Sequence, residues 1–264
     1  MHYFNSVLPM IRSIQNSLLY ISVFLFSATM QAQELRTVSF PAADGVKVTA
    51  SLMNPHPATA PFIILCHQAG WSRGEYREII PKLVKRGYNC LAIDQRSGGA
   101  VNGVENKTHL EANRMMKQTR YVDAIPDLNA AIRHVRAEKI AEGKLILWGS
   151  SYSAALTLVV GANHQQELSG LLAFSPGEYF SSMGKSNDYI KTAAAQLSIP
   201  VFITSARSEE KSWKAIFEAI PSEQKQSFLP ETVGNHGSRA LWAEFPDSKA
   251  YWEVVDAFLA SIGT

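Results

Sequence analysis

The segment Lys144-Leu145-Ile146-Leu147-Trp148-Gly149-Ser150-Ser151-Tyr152-Ser153-Ala154-Ala155-Leu156 carries the strongest structural signal in the chain. It opens with an apolar run typical of a buried strand, and it closes by entering an apolar helical pattern. The chain must therefore turn sharply between them, as it does in a Gly-x-Ser-x-Gly nucleophile elbow. In such a turn the central serine is strained, and the residues two positions before and after it must be small. Gly149 and Ser153 are that pair, so Ser151 is the predicted nucleophile.

The neighbouring Ser150 is excluded as the apex because its flanking residues would be the bulky Trp148 and Tyr152. We therefore expect a Ser150→Ala variant to keep most of the activity. Ser153 stands where glycine is usual, but a serine side chain is still small. The sequence departs from the common elbow pattern at this one flanking position.

The composition fits a globular α/β protein. The chain has 264 residues, of which 46% are hydrophobic, so a sizeable core can form. The net charge of +2 and the lack of a Lys/Arg cluster argue against a nucleic-acid partner. No His/Cys cluster has metal-ligand spacing, and we expect neither a metal nor a cofactor. The two cysteines, Cys66 and Cys90, lie in apolar strand runs, and the sequence leaves open whether they form a disulfide.

The first 32 residues differ from the rest of the chain. Arg12 precedes an uncharged apolar run at residues 17–26, and small residues follow up to Ala32. This arrangement predicts a secretory signal peptide at 1–32 and a single catalytic domain at 33–264. An uncleaved membrane anchor is the alternative. Either interpretation places the catalytic body outside the cytoplasm, and with cleavage we expect a periplasmic or secreted protein without stable membrane insertion.

Eight apolar or alternating runs predict eight strands, and helical patterns follow most of them. This regular alternation predicts a mostly parallel sheet with helices on both faces. Residues 175–199 are too few for a large cap domain. Residues 95–120 form a long stretch without clear structure, which is often functional. The predicted strands are 35–40, 46–53, 62–66, 88–93, 144–148, 168–174, 200–204 and 226–229.

An attacking serine needs a general base and an acid that orients it, both on loops at the carboxyl ends of strands. His236 lies in the glycine-flanked loop after the last strand, where a base must approach Ser151. Glu209 follows the preceding strand and is the predicted acid. Glu210 and Glu178 remain alternatives, and each keeps the order Ser, acid, His.

The oxyanion hole needs two backbone N–H groups. We expect one from Tyr152, at the amino end of the helix after the elbow. We expect the other from Ala69, in the loop after residues 62–66, with Gln68 as the alternative. His67 in the same loop is interpreted as a residue that shapes the loop.

The predicted substrate pocket is open and partly aromatic. We expect residues 95–120, together with Trp71, Tyr152 and Tyr179, to wall this pocket. Gln68 is a further expected pocket residue. No acidic or basic cluster is available to select a strongly charged substrate.

Four motifs together resemble the α/β-hydrolase superfamily, and within it the dienelactone-hydrolase-like branch. They are His67-Gln68-Ala69-Gly70, residues 94–99, the elbow at Ser151, and Asn235-His236-Gly237. The resemblance runs from about Leu35 to the end of the chain and implies the α/β-hydrolase fold. Dienelactone hydrolases proper carry cysteine as the nucleophile, so their substrate is not implied here. Asp94 and Arg96 belong to a common motif of the superfamily, and we interpret them as structural.

The sequence therefore predicts an exported serine hydrolase that acts on small-molecule carboxylic esters through an acyl-enzyme. An acyltransferase or a peptidase with the same triad is the first alternative. A binding module without catalysis is the second, and the complete set of catalytic residue types argues against it. The identity of the ester and the oligomeric state do not follow from the sequence.

Overall fold

The strand that ends in the elbow lies near the middle of an eight-stranded sheet. The computed structural model describes residues 35–263. The strands occur in the order β1-β2-β4-β3-β5-β6-β7-β8 across the sheet. Their bounds are β1 Arg36–Pro41, β2 Lys47–Met53, β3 Phe62–Cys66, β4 Asn89–Ile93, β5 Leu145–Ser150, β6 Gly170–Phe174, β7 Val201–Thr204 and β8 Lys225–Phe228.

The sheet is mixed only at one edge. β1 pairs antiparallel with β2, and β2 pairs antiparallel with β4. Every pair from β4 to β8 is parallel, so the carboxyl ends of these strands meet at one edge of the sheet. The prediction of a mostly parallel eight-stranded sheet is confirmed.

Helices cover both faces of the sheet, as predicted. α3, α4, α5 and α6 pack on one face through residues such as Leu128 and Leu156. α1 and α7 pack on the other through residues such as Ile79 and Phe258. The bounds are α1 Ile79–Lys85, α2 Lys107–Arg114, α3 Ile125–Ala137, α4 Tyr152–Asn163, α5 Tyr189–Ala194, α6 Glu210–Ala219 and α7 Ser248–Gly263.

The region predicted to lack clear structure, 95–120, contains a short hairpin and α2. The hairpin pairs Ala100–Val101 with Val104–Glu105. α2 escaped the periodicity analysis because it is short and mostly polar, and it buries only Thr108 and Ala112. Its start has a local cause, since the Asn106 side chain accepts a hydrogen bond from the N–H of His109.

Cys66 and Cys90 are free and buried. They lie on the neighbouring strands β3 and β4, but Cys66 packs in the core on one face of the sheet and Cys90 in the core on the other. Side chains on opposite faces cannot be bridged without moving the backbone. The disulfide that the sequence left open is therefore not formed.

The predicted signal peptide, residues 1–32, lies outside the described residues. Among the helices in the described part of the chain, none is long and apolar enough to cross a membrane.

Candidate active site

Ser151 lies at the apex of the turn between β5 and α4. Its backbone has φ 58° and ψ −120°, a conformation that L-residues rarely adopt. A Cβ on Gly149 would lie 2.3 Å from the carbonyl oxygen of Ser153, so only glycine fits at that position. We call residues 149–153 the elbow, and its geometry is that of a nucleophile elbow.

Ser153, the departure from the usual glycine, is buried and uses its hydroxyl. The hydroxyl donates to the carbonyl oxygen of His67 and accepts a hydrogen bond from the side-chain amide of Gln95. The first bond joins the first turn of α4 to the loop after β3, and the second joins it to the loop after β4. Serine at this position therefore adds a link between the elbow and the loop after β3, which comprises residues 67–71 and is called the oxyanion loop below.

His67 shapes the oxyanion loop. Its Nδ1 donates to the carbonyl oxygen of Gln68 at 2.8 Å, and its Nε2 accepts from the backbone N–H of Gln95 at 3.0 Å. The ring is fully buried, and burial lowers the pKa of His67 to about 4. With both ring nitrogens engaged and the ring neutral, His67 has no free nitrogen to act as a catalytic base.

The two predicted oxyanion donors are unoccupied. Within residues 35–263 the backbone N–H groups of Ala69 and Tyr152 have no hydrogen-bond acceptor. The N–H of Gln68, the alternative donor, already donates to Oε2 of Glu75 at 2.7 Å. Ala69 is therefore the better placed of the two loop candidates.

His236 is in contact with the predicted acid. Its Nδ1 lies 2.6 Å from Oε1 of Glu209, and the second oxygen of Glu209 accepts from the hydroxyl of Ser175 at 2.7 Å. Burial raises the pKa of Glu209, but the hydrogen bonds from His236 and Ser175 outweigh it and hold the pKa below its ordinary value. Glu209 is therefore an ionised carboxylate directed at the His236 ring.

The two alternative acids are engaged elsewhere. The carboxylate of Glu178 accepts the N–H groups of Ile190 and Lys191 at the start of α5. Glu210 lies 3.7 Å from Lys214 in an exposed pair along α6. Neither contacts His236, so the structure brings Glu209 alone among the three candidates to the base.

Ser175 was missed by the sequence analysis. It follows β6 with φ 59°, and its hydroxyl accepts from the N–H of Gly237 at 2.9 Å while it donates to Glu209. One side chain thus connects the acid to the loop of the base. Its place at the carboxyl end of a parallel strand was the one signal that could have revealed it.

Ser150 and Glu75 form a second link that the sequence analysis missed. The Ser150 hydroxyl donates to Oε1 of Glu75 at 2.7 Å and accepts from the N–H of Ser238 at 2.8 Å. The loop of His236, residues 233–238, is called the histidine loop below. The bond from Ser238 holds this loop against the elbow.

Comparison with known proteins agrees with this architecture. Residues 57–182 match the family described as serine aminopeptidase, S33. A carboxymethylenebutenolidase of Pseudomonas putida is 27% identical over 129 residues, which cover 47% of this chain and 55% of the relative. The chain therefore spans about half the length of the curated relatives it matches.

Two solved structures cover most of the chain. An esterase of Pyrococcus furiosus superposes with a TM-score of 0.65 at 19% identity, covering 87% of this chain and 93% of that one. A dienelactone hydrolase from Anabaena variabilis gives 0.64 at 15% identity, covering 86% and 97%. This chain has the α/β-hydrolase fold. It resembles the dienelactone hydrolases of that fold.

Three of the predicted pocket residues have defined surroundings in the structure. Trp71 stacks on Trp242 with ring centroids 5.4 Å apart, and the Tyr179 hydroxyl donates to the carbonyl oxygen of Ser175 at 2.8 Å. Gln68 is buried, and its side-chain oxygen has no partner in the described part of the chain. A Cβ on Gly237 would lie 2.7 Å from that oxygen, which places Gln68 beside the histidine loop.

The charged motif shared with the superfamily is structural here, as expected. Asp94 pairs with Arg73 at 2.5 Å, and Arg96 pairs with Asp127 at 2.7 Å and with Asp44 at 2.6 Å. These buried pairs anchor the chain after β4. In residues 35–263 no group of His, Cys, Asp and Glu side chains could hold a metal ion.

Proposed function

We propose that this protein is a serine hydrolase that cleaves small-molecule carboxylic esters through an acyl-enzyme. The observation that carries the proposal is the contact of 2.6 Å between Nδ1 of His236 and Oε1 of Glu209. The histidine loop is held next to the strained Ser151 by the bond from Ser238 to the neighbouring Ser150. An orienting carboxylate fixes the proton on Nδ1, and Nε2 is then the nitrogen free to accept the serine proton.

In the proposed mechanism Ser151 attacks the acyl carbon while His236 takes its proton. The N–H groups of Tyr152 and Ala69 stabilise the oxyanion of the tetrahedral intermediate, since both lack another acceptor among the described residues. His236 then protonates the leaving alcohol. Water repeats the sequence on the acyl-enzyme, and Glu209 stabilises the imidazolium that forms in each half-reaction. None of these steps calls for a cofactor.

The relatives support ester bonds as the target. One superposed structure is named an esterase and the other a dienelactone hydrolase. The curated relative is named carboxymethylenebutenolidase. Gln68, Trp71 and Tyr179 are the side chains proposed to contact the substrate. Because the sequence offers no acidic or basic cluster to select a strongly charged substrate, an uncharged or weakly polar acyl group is proposed.

The cellular place is part of the proposal. An apolar run at residues 17–26, followed by small residues up to Ala32, supports export by a signal peptide and a periplasmic or secreted enzyme. Mass spectrometry of the amino terminus of the protein recovered from the native host would test this. A mature chain that begins near Gln33 is expected, and a retained residue 1 in an exported-protein fraction would favour the membrane anchor.

A peptidase is the second candidate, because the matching family is described as serine aminopeptidase, S33. The same triad serves both reactions, so the leaving group distinguishes them. A panel of p-nitrophenyl esters and aminoacyl p-nitroanilides measures this directly. We expect turnover of the esters; turnover of the anilides with higher kcat/KM would favour the peptidase.

The nucleophile is tested by covalent labelling. A fluorophosphonate probe should modify Ser151, as mapped by peptide mass spectrometry, and Ser151→Ala should abolish both labelling and ester turnover. His236→Ala should lower turnover by several orders of magnitude, as loss of a triad base does elsewhere. Labelling at Ser150, or undiminished turnover in Ser151→Ala, would refute the assignment.

A further inference from the structure

Glu75 is a buried carboxyl group that the proposed mechanism does not use. It lies in the 3-10 turn Arg73–Tyr76 and is completely inaccessible to solvent. Oε2 accepts from the backbone N–H of Gln68 at 2.7 Å, and Oε1 accepts from the hydroxyl of Ser150 at 2.7 Å. One carboxyl group therefore joins the oxyanion loop to the elbow.

The same network reaches the histidine loop. The Ser150 hydroxyl that donates to Glu75 also accepts from the N–H of Ser238 at 2.8 Å. Gln68 precedes the proposed oxyanion donor Ala69, Ser150 precedes the proposed nucleophile, and Ser238 follows His236 by two residues. Gln68, Ser150 and Ser238 are therefore each one or two residues from a proposed catalytic group. The three hydrogen bonds that connect them all involve Glu75 or Ser150.

The pattern of donors fits a carboxylate. Each oxygen of Glu75 receives one hydrogen bond from a donor, and the Ser150 hydroxyl receives one and gives one. A proton on Oε1 would turn that oxygen into a donor towards Ser150, and the Ser150 proton would lose its acceptor. A proton on Oε2 would set two donors, the N–H of Gln68 and the acid O–H, against each other. Protonation therefore reverses the bond to Ser150 or disturbs the bond from Gln68, and in either case changes one of the links.

Among residues 35–263, no cationic side chain forms an ion pair with Glu75. Arg73, in the same turn, pairs with Asp94 instead. Burial raises the pKa of Glu75 to about 7, while the hydrogen bonds and the more distant positive charges act in the opposite direction. The titratable and charged groups that face Glu75 are Tyr76 from its own turn, Cys66 from β3, and His236 and Arg239 from beyond β8.

We propose that Glu75 is a positioning residue for the oxyanion hole, and that Ala69 is in register with Ser151 only while Glu75 is a carboxylate. This role depends on the proposed function, because it acts through the oxyanion loop and the elbow. It makes Glu75 a switch by which a change of pH near neutrality alters the efficiency of the site. A displaced oxyanion donor is costly, since loss of one donor lowers turnover about 100-fold or more in other hydrolases.

The test is the pH dependence of kcat/KM for one activated ester in the unaltered protein and in Glu75→Gln. The amide mimics the protonated acid at every pH. At about pH 5 nearly all of Glu75 is protonated, and the two proteins should agree within about twofold. At about pH 9 the unaltered protein should be roughly 10- to 100-fold more efficient. Because the two proteins differ only at residue 75, the ratio should isolate Glu75.

Glu78→Gln is the matched control. Glu78 lies three residues further along the chain and is exposed. Its carboxylate accepts a hydrogen bond of 3.2 Å from the N–H of Ala243, which is not part of the elbow. Its kcat/KM should equal that of the unaltered protein at every pH. A ratio for Glu75→Gln that is constant with pH would indicate a merely structural role and would overturn the proposal.

Ser150→Ala keeps the proposal testable if Glu75→Gln does not fold. The bond from Ser150 lowers the pKa of Glu75, so its removal should raise that pKa and move the rise of kcat/KM to higher pH. An unmoved rise would overturn the role of Glu75. If the unaltered protein neither hydrolyses the ester nor is labelled at Ser151, the proposed function fails, and the role of Glu75 fails with it. An active, labelled protein with a constant ratio refutes the role of Glu75 alone.

Discussion

Glu209 can meet His236 because the chain turns immediately after β7. Glu209 ends the short turn Arg207–Glu209, which reverses the direction of the chain. Its carboxylate accepts a hydrogen bond of 3.2 Å from the N–H of Ala206. The turn is also joined to the histidine loop, since the N–H of Arg207 donates to the carbonyl oxygen of Val233 at 2.9 Å. The acid and the base are therefore held by paired loops as well as by their own contact.

Replacing this acid should cost turnover and leave the fold intact. Glu209→Gln puts an amide beside Nδ1 of His236, which no longer stabilises the imidazolium and permits the wrong tautomer. We expect kcat to fall roughly 100-fold or more with little change in the melting temperature, as measured on one activated ester and by circular dichroism.

The other two carboxylates provide controls for this substitution. Glu210→Gln should change kcat by at most a few fold, because Glu210 pairs with the exposed Lys214 and does not contact His236. Glu178→Gln should weaken the start of α5 and lower stability by about 1 kcal/mol, without a specific effect on kcat. A loss of turnover confined to Glu178→Gln would refute the assignment of Glu209.

The sequence singles out Ser151, Glu209 and His236 as candidates because each follows a recognisable strand, and catalytic groups of this fold occupy such positions. It could not predict Glu75, because a charged residue in a polar turn carries no signal of burial. It also gave Ser150 no role, whereas its hydroxyl joins Glu75 to Ser238. We now expect a measurable loss of activity in Ser150→Ala, well below that in Ser151→Ala.

At the scale of elements, the junction between α4 and the oxyanion loop depends on the Ser153 hydroxyl. Restoring the usual glycine would remove its bonds to the His67 carbonyl oxygen and the Gln95 amide in a buried site. Glycine would also raise the conformational entropy of the unfolded chain. We expect Ser153→Gly to lower the free energy of unfolding by about 2 kcal/mol or more, as measured by urea denaturation.

Ser153→Ala separates the two causes in that experiment. It removes the hydroxyl but retains the Cβ, so the loss due to hydrogen bonds alone should remain. Ser153→Gly as stable as the unaltered protein would show that the hydroxyl does not hold this junction. Glycine at position 153, as in the usual Gly-x-Ser-x-Gly pattern, would then be equivalent to serine for the stability of the elbow.

The strands were predictable at this scale because runs such as Phe62–Cys66 are buried on both faces and read as continuous apolar sequence. Helices that pack on the sheet, such as α3, show an apolar stripe and were also predictable. α2 and the break between the turn Arg73–Tyr76 and α1 were not. Their position depends on contacts with the loop after β4, where a Cβ on Gly98 would lie 2.1 Å from the carbonyl oxygen of Trp71.

At the scale of the whole molecule, the site concentrates buried ionisable groups at one edge of the sheet. Glu75 and His67 are both completely buried, and both have pKa values that favour the neutral form. Such groups link the stability of the entire domain to pH, because unfolding returns them to their ordinary pKa values. The linkage provides a measurement of Glu75 that does not depend on catalysis.

The sign follows from the proton bound to Glu75. Its pKa is about 7 in the folded protein against an ordinary value of 4.5, so between these values the folded state retains a proton that the unfolded state releases. The free energy of unfolding due to this group is therefore greatest below about pH 4.5, falls as pH rises to about 7, and is constant above. Glu75→Gln cannot ionise and lacks this term.

We therefore expect Glu75→Gln to gain stability relative to the unaltered protein as pH rises. The difference in the free energy of unfolding should grow by about 3 kcal/mol between about pH 4 and about pH 8, as measured by urea denaturation at both values. Taking the difference cancels the contribution of His67 and of the exposed groups, and Glu78→Gln should show no such trend. A difference that does not change with pH would mean that Glu75 titrates near its ordinary value. The same carboxylate that is proposed to align the oxyanion hole would then impose no stability cost at neutral pH, and its pH switch would be lost.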